Sequence, residues 1–379
     1  MLSAKTGNGQ LIILSSELSR YELKQLRISE RFFCPDCGSV LHLKVGDIVI
    51  PHFAHARDSQ CTSAFSEGES AEHLKGKQQL YRFLTSADQQ VLLEPLLSAL
   101  SQRPDLLIRD VKASVPIEFQ CSRIPISLMK ERTQGYRNAG MEPIWILHTP
   151  AKFKTLPLGV GEFRFSKFEE QFISTPPTQI PYLLTYNTYQ QTFHYYSNLL
   201  PVDGQRYIGV HTTLPIAYQR YPFALPKVPT DLMLAQYLST YVRLREHYIC
   251  SRIHYNRQGI QNPFLRSCYE LRIPPMLLPD WIGVPVQGKR AFRINDCEWQ
   301  LCLLHDLTQN CMEFSEASAD YLDQFCRQFQ GSTSEQATAC RLYLAFLMEN
   351  GIHSFQGQSE LGENKILRLI SERFLANHV

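Results

Sequence analysis

The sequence predicts an α/β (α+β) protein that is built from three consecutive parts. Cysteine and histidine pairs mark residues 1–65, a segment too short to fold on an apolar core of its own. Helical and extended patterns alternate over residues 66–150, and helical patterns alone return from Asp231 onwards. We therefore expect an N-terminal metal-binding segment at 1–65, an α/β core at 66–150 and a C-terminal domain at 151–379, mainly helical behind a Pro- and Tyr-rich connector of irregular structure or short strands.

The composition is that of an ordinary globular protein with 379 residues, 44% hydrophobic and 20% charged. No apolar run reaches the roughly 18 to 20 residues of a membrane-spanning helix, and the first 14 residues lack a secretory signal, so we expect a cytoplasmic protein. Eleven cysteines, an odd number, favour reduced thiols and one metal site over disulfides. With a net charge of +2, any nucleic-acid-binding surface has to be a local patch.

Two pairs of metal-ligating residues lie in the N-terminal segment. Cys34-Pro-Asp-Cys37 is a Cys-x-x-Cys knuckle in which Gly38 permits a tight turn, and His52 and His55 follow as a His-x-x-His pair. A hairpin between the two pairs would return the chain to the knuckle. The spacing therefore predicts a tetrahedral Zn²⁺ site, which is structural because four protein ligands leave no open position.

Two alternatives to this ligand set remain open. Cys61 is a rival fourth ligand, because His-x-x-His is tighter than the usual zinc-finger spacing. The knuckle could also be a reduced Cys-x-x-Cys that binds nothing. The intervening hairpin is expected to pair Val40–Val45 with Ile48–Ile50, turning at Gly46-Asp47.

A helix with a charged beginning is predicted from Ser66, followed by an apolar stripe at helical spacing. Glu69 and His73 are four residues apart, so both can reach a common neighbour. A solvated charged face is the alternative. The ionisable residues of the first turns are Glu69, Glu72, His73, Lys75 and Lys77.

A hairpin of two apolar strands, Leu106–Ile108 and Val115–Gln120, carries acids where core residues are expected. Alternation directs Glu118 and Gln120 to one face, and pairing across the hairpin brings Asp105 alongside. Two hard oxygen ligands at this place predict an Mg²⁺ or Mn²⁺ site beside a phosphate, as in metal-dependent phosphodiesterases. The alternative is a turn-capping Asp and a Glu on a solvated strand face.

The elements around this hairpin follow a definite order. A strand at Val91–Glu94 precedes it, and a helix at Pro125–Asn138 and a buried strand at Ile144–His148 follow. Starting from Glu69, the order is helix, strand, strand, strand, helix, strand. Acids lie at the first helix and at the second and third strands.

This order is similar to the core of the restriction-endonuclease-like, PD-(D/E)XK nuclease superfamily, and the chain closely resembles the competence protein CoiA-like family of naturally transformable bacteria. The resemblance covers residues 34–147, and the sequence beyond them has no diagnostic motif. Its motifs are Cys34-x-x-Cys37, His52-Phe-Ala-His55, Glu69-Ser-x-x-His73-x-x-x-Lys77, Arg103-Pro-Asp105, Ile117-Glu-Phe-Gln-Cys-Ser122, and Arg132-x-x-x-Tyr136 followed by Trp145-Ile-Leu147.

The resemblance implies a metal-dependent DNA nuclease that acts on incoming, single-stranded DNA, in or beside RecA-dependent recombination. DNA and RecA or other competence proteins are the implied partners. We expect Asp105 and Glu118 to bind Mg²⁺ or Mn²⁺ with one of Glu69 or Glu72, and His73 to lie in the same site. Gln120 would position the attacking water. Gln134 and Tyr136 would contact the phosphate.

One position departs from the superfamily pattern. Gln120 stands where the superfamily has Lys, and an amide supplies no positive charge to the scissile phosphate. Lys75 or Lys77 offers that charge from the first helix. The alternative function is a DNA-binding or RecA-assisting module with a weakly active or inactive nuclease fold.

A second basic cluster lies in the C-terminal domain, on and just after a helix predicted at Leu232–Tyr248. Arginines alternate there with tyrosines, a combination that suits a nucleic-acid backbone and stacked bases. A core helix with a solvated basic edge is the alternative. The predicted DNA-binding residues are Arg243, Arg245 and Arg252.

Overall fold

A computed structural model describes residues 1–14, 18–56, 69–110, 113–174, 181–224, 226–286, 291–355 and 361–374. The chain divides into two compact units. The first unit contains Met1–Leu156, Leu184–Tyr195 and Thr213–Ala224, and the second contains Pro157–Leu183, Tyr196–Thr212 and Leu225–Val379.

The first unit begins with a small antiparallel sheet. Its elements are β1 (Ser3–Thr6), β2 (Leu11–Ile13), α1 (Arg20–Ser29), β3 (Phe32–Phe33), β4 (Val40–Lys44) and β5 (His52–His55), and the strand order is β2-β1-β3-β4-β5. Ser19 and Glu22 form a capping box that begins α1. The strand that pairs with β4 is β5, not the predicted Ile48–Ile50, and Ile48 is fully exposed.

The next six elements of the first unit follow the predicted order. They are α2 (Ala71–Ser86), β6 (Gln90–Leu93), β7 (Leu106–Arg109), β8 (Val115–Gln120), α3 (Ile126–Asn138) and β9 (Ile144–His148). Strands β6, β7 and β8 are antiparallel neighbours, and β9 is parallel to β8. The predicted hairpin is therefore confirmed.

Strand β8 has a helix on each face, and its alternation decides which residue meets which helix. Phe119 is buried against Gly76 of α2, whereas Glu118 contacts Arg132 of α3. Leu106 of β7 lies opposite Ile117 of β8, which sets the register of the hairpin. Because successive side chains of a strand point to opposite faces, β8 makes an apolar contact with α2 on one face and a polar contact with α3 on the other.

The stretch predicted as a connector contains extended strands. They are β10 (Gly159–Arg164), β11 (Ile173–Ser174), β12 (Tyr182–Asn187), β13 (Thr192–Asp203) and β14 (Arg206–Pro215). In the first unit, β12 pairs in parallel with β9; in the second, β10 pairs with β14 and β11 with β12, both antiparallel. The expectation of irregular structure or short strands is therefore corrected: β13 has 12 residues, because aromatic and β-branched residues favour strands.

Helices dominate the rest of the second unit. They are α4 (Asp231–His254), α5 (Pro263–Glu270), α6 (Asp296–Gln309), α7 (Ala319–Cys326), α8 (Thr333–Glu349) and α9 (Glu363–Phe374). Trp281, Trp299 and Tyr343 are fully buried among them. Within the described ranges, no helix is both long and apolar enough to cross a membrane.

We predict that Gly76→Ala destabilises the first unit. The new methyl carbon would lie 2.7 Å from Phe119 Cζ and nearer still to Cε1, so the ring has to move. Overpacking of this kind costs about 1–3 kcal/mol, more than the roughly 1 kcal/mol by which Ala favours a helix. Urea denaturation measures the difference. Gly46→Ala, in open space, is the matched control, and Phe119→Leu should rescue part of the loss. A Gly76→Ala protein as stable as the native one would contradict this packing.

Candidate active site

The beginning of α2 places two ionisable side chains on one face. Ser70 caps the helix by accepting a hydrogen bond from the His73 backbone N–H at 3.1 Å. His73 and Lys77 follow four residues apart, and therefore on one face. Glu69 lies just outside the helix, and its Oε1 is 3.5 Å from His73 Nδ1. As predicted, the side chains of Glu69 and His73 lie close together, although Glu69 precedes the first residue of α2.

Asp105 joins this pair from the sheet. It precedes β7, where its Oδ2 accepts a hydrogen bond from the Phe119 N–H at 2.8 Å and lies 3.1 Å from His73 Nε2. Glu69, His73 and Asp105 each offer one ligand atom, and these atoms lie within 4.8 Å of one another. We call these three residues the acid–His cluster. It is one of two groups of possible metal ligands found among the described residues.

A buried lysine lies beside the acid–His cluster. The Lys77 side chain is only 1% exposed; its ammonium contacts Glu69, and it lies 2.5 Å from Glu94 Oε1 and 3.7 Å from Asp105 Oδ1. Burial acts to lower the pKa of Lys77, but these carboxylates outweigh burial and raise it. The predicted contact of Lys77 with DNA is corrected, because an ammonium so deeply buried is committed to the protein's own acids.

The acids respond to the neighbouring cations. Burial acts to raise the pKa of Asp105, yet His73 and Lys77 lower it to about 2. The same carboxylate raises the pKa of His73 against the effect of burial. The Met1 ammonium also lies 2.5 Å from Glu69 Oε2. Asp105 is therefore held as a carboxylate at neutral pH, which is the form that binds cations.

Glu94 and Arg103 complete the buried network, and the sequence analysis did not select either as a site residue. Glu94, 5% exposed, accepts hydrogen bonds from the Leu2 and Ser3 amides, at about 3 Å, and from Lys77 and Arg103. Arg103 Nη1 lies 2.8 Å from an Asp36 oxygen. The sequence signal for Glu94 is an acid at the end of a strand, next to Pro95, and the signal for Arg103 is the Arg103-Pro-Asp105 motif.

Glu118 is not a member of the acid–His cluster, and cation binding by Asp105 and Glu118 together stays a prediction. The Tyr136 hydroxyl donates to Glu118 Oε1 at 2.5 Å, and Arg132 contacts the same oxygen. Burial raises the pKa of Glu118, although both partners stabilise its carboxylate. The hairpin register does bring the two acids side by side. However, Asp105 turns toward α2, where its Oδ2 lies 3.1 Å from His73 Nε2, while Glu118 contacts Arg132 and Tyr136 of α3.

The other predicted catalytic and DNA-contacting residues are dispersed. Glu72 is exposed and Lys75 is half-buried. The Gln120 amide donates to the Ser122 backbone oxygen at 2.8 Å. Gln134 lies on the exposed face of α3. Tyr136 is fully buried, so its predicted phosphate contact is corrected to a hydrogen bond with Glu118.

The second group of possible ligands is in the N-terminal sheet. Atoms of Cys34, Cys37 and His55 lie within 4.8 Å of one another, with Cys37 Sγ 3.4 Å from His55 Nε2. His52 does not join them. It pairs with Lys44 at the far end of the β4–β5 hairpin, and its Nδ1 is 2.9 Å from the Ile50 oxygen.

Three further facts bear on these ligands. His52 and His55 are three residues apart on a strand, so they point to opposite faces, and this geometry corrects the predicted four-ligand set. Cys61, the rival ligand, lies outside the described residues. Burial raises the pKa of the Cys34 thiol to about 11, which disfavours the thiolate form that binds metal ions.

Two of the three predicted C-terminal arginines have partners inside the second unit. Arg245 donates to the backbone oxygens of Pro279 and Ile282 at 2.6 and 2.7 Å. Arg252 is 3.2 Å from Glu298 Oε2 and stacks on a tyrosine ring. Internal contacts therefore hold both guanidinium groups, but neither arginine is fully buried, and their DNA contacts stay predictions.

Arg243 is the exception. Its side chain is 63% exposed, and its nearest acid, Glu162, is 4.0 Å away. DNA binding by Arg243 stays a prediction.

Comparison with known proteins places this geometry in context. Three family models match the chain: Competence protein CoiA, N-terminal domain, at residues 15–64; its nuclease-like domain at 69–225; and its C-terminal domain at 236–373. Competence protein CoiA of Bacillus subtilis (strain 168) is 28% identical in an alignment 364 residues long. The alignment covers 86% of this chain and 92% of that protein. No solved structure matches.

The acid–His cluster therefore lies in a nuclease-like domain, and that domain defines the class of protein. All three domains of one family occur here in order along the chain. The chain belongs to the competence protein CoiA family, which confirms the resemblance found from the motifs.

We predict that Glu94→Gln lowers the free energy of unfolding by about 3–5 kcal/mol, because it leaves Lys77 and Arg103 without their shared anion. Urea denaturation at neutral pH measures this loss. Glu142→Gln, which breaks the exposed pair with Arg137, is the control and should cost about 1 kcal/mol or less.

The pH dependence gives a further check of Glu94. Burial acts to raise its pKa, but Lys77 and Arg103 hold it below its ordinary value of 4.5. The stability that Glu94 contributes is therefore present above pH 4.5 and is lost as the pH falls toward the lowered pKa. The difference between native and Glu94→Gln proteins should shrink in acid. A difference that stays constant down to pH 3 would contradict a charged Glu94.

Proposed function

We propose that this protein is a metal-dependent DNA nuclease that acts on incoming DNA in the cytoplasm during natural transformation. One observation carries the proposal: the ligand atoms of the acid–His cluster converge beside the first residue of β7, in a nuclease-like domain. The relative from Bacillus subtilis is a competence protein by name, which supports the biological setting. RecA or another competence protein is the proposed partner.

The residues of the acid–His cluster fit a divalent cation. Two carboxylates and an imidazole converge, and Asp105 is held ionised. Carboxylates suit Mg²⁺ and Mn²⁺ alike, whereas an imidazole ligand favours Mn²⁺ over Mg²⁺. A divalent cation bound there would lower the pKa of a water molecule and stabilise charge on the phosphoryl group.

The chain's own residues would prepare this site. The Phe119 amide fixes the orientation of Asp105, and Lys77 holds the side chains of Glu69 and Asp105 at one place. Lys77 thus provides a positive charge within the site, which Gln120 cannot do. This charge holds the acids in position and does not contact DNA. Lys75, half-buried on the same helix, remains the proposed phosphate contact.

The N-terminal domain would hold a structural Zn²⁺. Cys34, Cys37 and His55 supply three ligands of the right kind and separation, and the fourth has to come from elsewhere in the chain or from solvent. Bound zinc would require the thiolate form of Cys34, so metal binding would overcome the raised pKa of that thiol.

A second candidate function is DNA binding without cleavage. The observation in its favour is that Glu118 is occupied by Arg132 and Tyr136, while Gln120 is bonded to the Ser122 backbone. The superfamily's strand-three acid and cation are therefore both missing from the acid–His cluster. A protein that binds single-stranded DNA but shows no cleavage with any divalent cation would have this function.

We predict that Asp105→Asn and Glu69→Gln each abolish cleavage of labelled single- or double-stranded DNA in Mn²⁺ or Mg²⁺. Loss of an outer-shell partner costs about 10–100-fold, so loss of a ligand should exceed about 100-fold. Glu142→Gln, on the surface, is the control. Cleavage that EDTA does not stop, or that persists in both variants, would contradict the proposed site.

We also predict one Zn²⁺ per chain, measured by elemental analysis. Cys37→Ser should lose the zinc and lower the melting temperature, because a structural zinc contributes folding energy. Cys311→Ser replaces another exposed cysteine and should change neither. Normal folding without zinc would remove the idea.

A further inference from the structure

A line of alternating charges connects the two groups of possible metal ligands. Asp36, between the knuckle cysteines, is 2.8 Å from Arg103 Nη1, and Arg103 Nη2 is 2.7 Å from Glu94 Oε2. Glu94 Oε1 is 2.5 Å from Lys77 Nζ, which in turn lies 3.7 Å from Asp105 Oδ1. Each ion in this line contacts the next.

The line is buried up to Lys77, and the Asp105 side chain at its end is 14% exposed. The side chains of Asp36 and Arg103 are each 7% exposed, Glu94 is 3% exposed, and Lys77 is 1% exposed. Charges in such surroundings are strongly coupled, and moving one leaves its neighbour without a partner at high cost. A shift at one end of the line should therefore be felt at the other.

The backbone strengthens this coupling at two places. Arg103 and Asp105 flank Pro104, which is buried and has a fixed φ, so a displaced Arg103 moves Asp105 with it. Glu94 has a positive φ of 51°, an uncommon conformation for a residue other than Gly. Such a conformation persists where the surroundings determine it, and here the surroundings include the Leu2 and Ser3 amides, Lys77 and Arg103.

We propose that Arg103 and Glu94 are positioning residues through which the Cys34–Cys37 knuckle controls cation binding at the acid–His cluster. Asp36 of the knuckle fixes the position of the Arg103 guanidinium. Glu94 contacts both Arg103 and Lys77, so the position of Arg103 determines that of the Lys77 ammonium. The inference rests on the proposed function for the acid–His cluster, but the coupling itself does not require that function. It makes the N-terminal domain a working part of the nuclease-like site and not only a stable appendage.

Asp36→Asn is the variant that tests this coupling. It removes one charge at the knuckle end and leaves Glu94 to balance Lys77 and Arg103, so the core keeps its main anion. Asp47→Asn is the matched control, since Asp47 lies in the same domain as Asp36 and also pairs with an arginine, but its side chain is 95% exposed. If Asp36→Asn does not fold, Arg103→Lys keeps the charge and loses the forked contacts, and the same measurements apply.

Two readouts separate positioning from simple stabilisation. The Mn²⁺ dissociation constant, measured by electron paramagnetic resonance, should rise in Asp36→Asn, by less than the roughly 10–100-fold that follows loss of a partner bonded directly to a ligand, because three residues separate Asp36 from Asp105. Hydrogen exchange should quicken at the Phe119 amide, which donates to Asp105, and at the Leu2 and Ser3 amides, which donate to Glu94. Asp47→Asn should change neither.

The outcomes are distinct. If folded Asp36→Asn has a lower melting temperature but native Mn²⁺ affinity and native Phe119 exchange, Asp36 only stabilises the knuckle and the inference is overturned. If the native protein binds no Mn²⁺, the proposed function of the acid–His cluster fails. In that case exchange at Phe119 decides the coupling by itself: faster exchange in Asp36→Asn supports it, and unchanged exchange rejects it.

Discussion

The buried ammonium of Lys77 is the constraint on which the first unit depends. A lysine with 1% of its side chain exposed is tolerated only where acids surround it, and here Glu69, Glu94 and Asp105 come to it from three different places in the sequence. Glu94 in turn requires Arg103 and the amides of Leu2 and Ser3. The N-terminal strand, the end of β6 and the beginning of α2 are therefore fixed by one electrostatic requirement. The acid–His cluster lies at the edge of that arrangement.

Local patterns predicted the order of elements from α2 to β9, because helical and strand periodicities depend on neighbouring residues alone. Alternation also predicted that Glu118 and Phe119 face opposite sides of β8. What it could not supply was the partner of each acid. Asp105 and Glu118 are side by side in the hairpin, but one turns to His73 and the other to Tyr136, and these partners come from separate helices.

The remaining misses have similar causes. Glu94 resembles any acid at a strand end, and its burial depends on Arg103 and on amides more than 90 residues away. His52 and His55 have a spacing that suits metal binding on a helix or in a turn, but on strand β5 it separates them. The sequence pattern predicts that Arg245 lies on a basic helix surface, yet its guanidinium donates hydrogen bonds to the carbonyl groups of a loop. For Glu94 and Arg245 the deciding contacts are distant in sequence, whereas for the two histidines the strand conformation decides.

The central claim is that the acid–His cluster binds the cation that acts in DNA cleavage. The most direct measurement is a crystal structure of the protein soaked with Mn²⁺, with the ion located by its anomalous scattering. We expect a peak bounded by Glu69, His73 and Asp105, with Lys77 still in contact with Glu94. A peak at Glu118 and Gln120, or no peak in the nuclease-like domain at millimolar Mn²⁺, would contradict it.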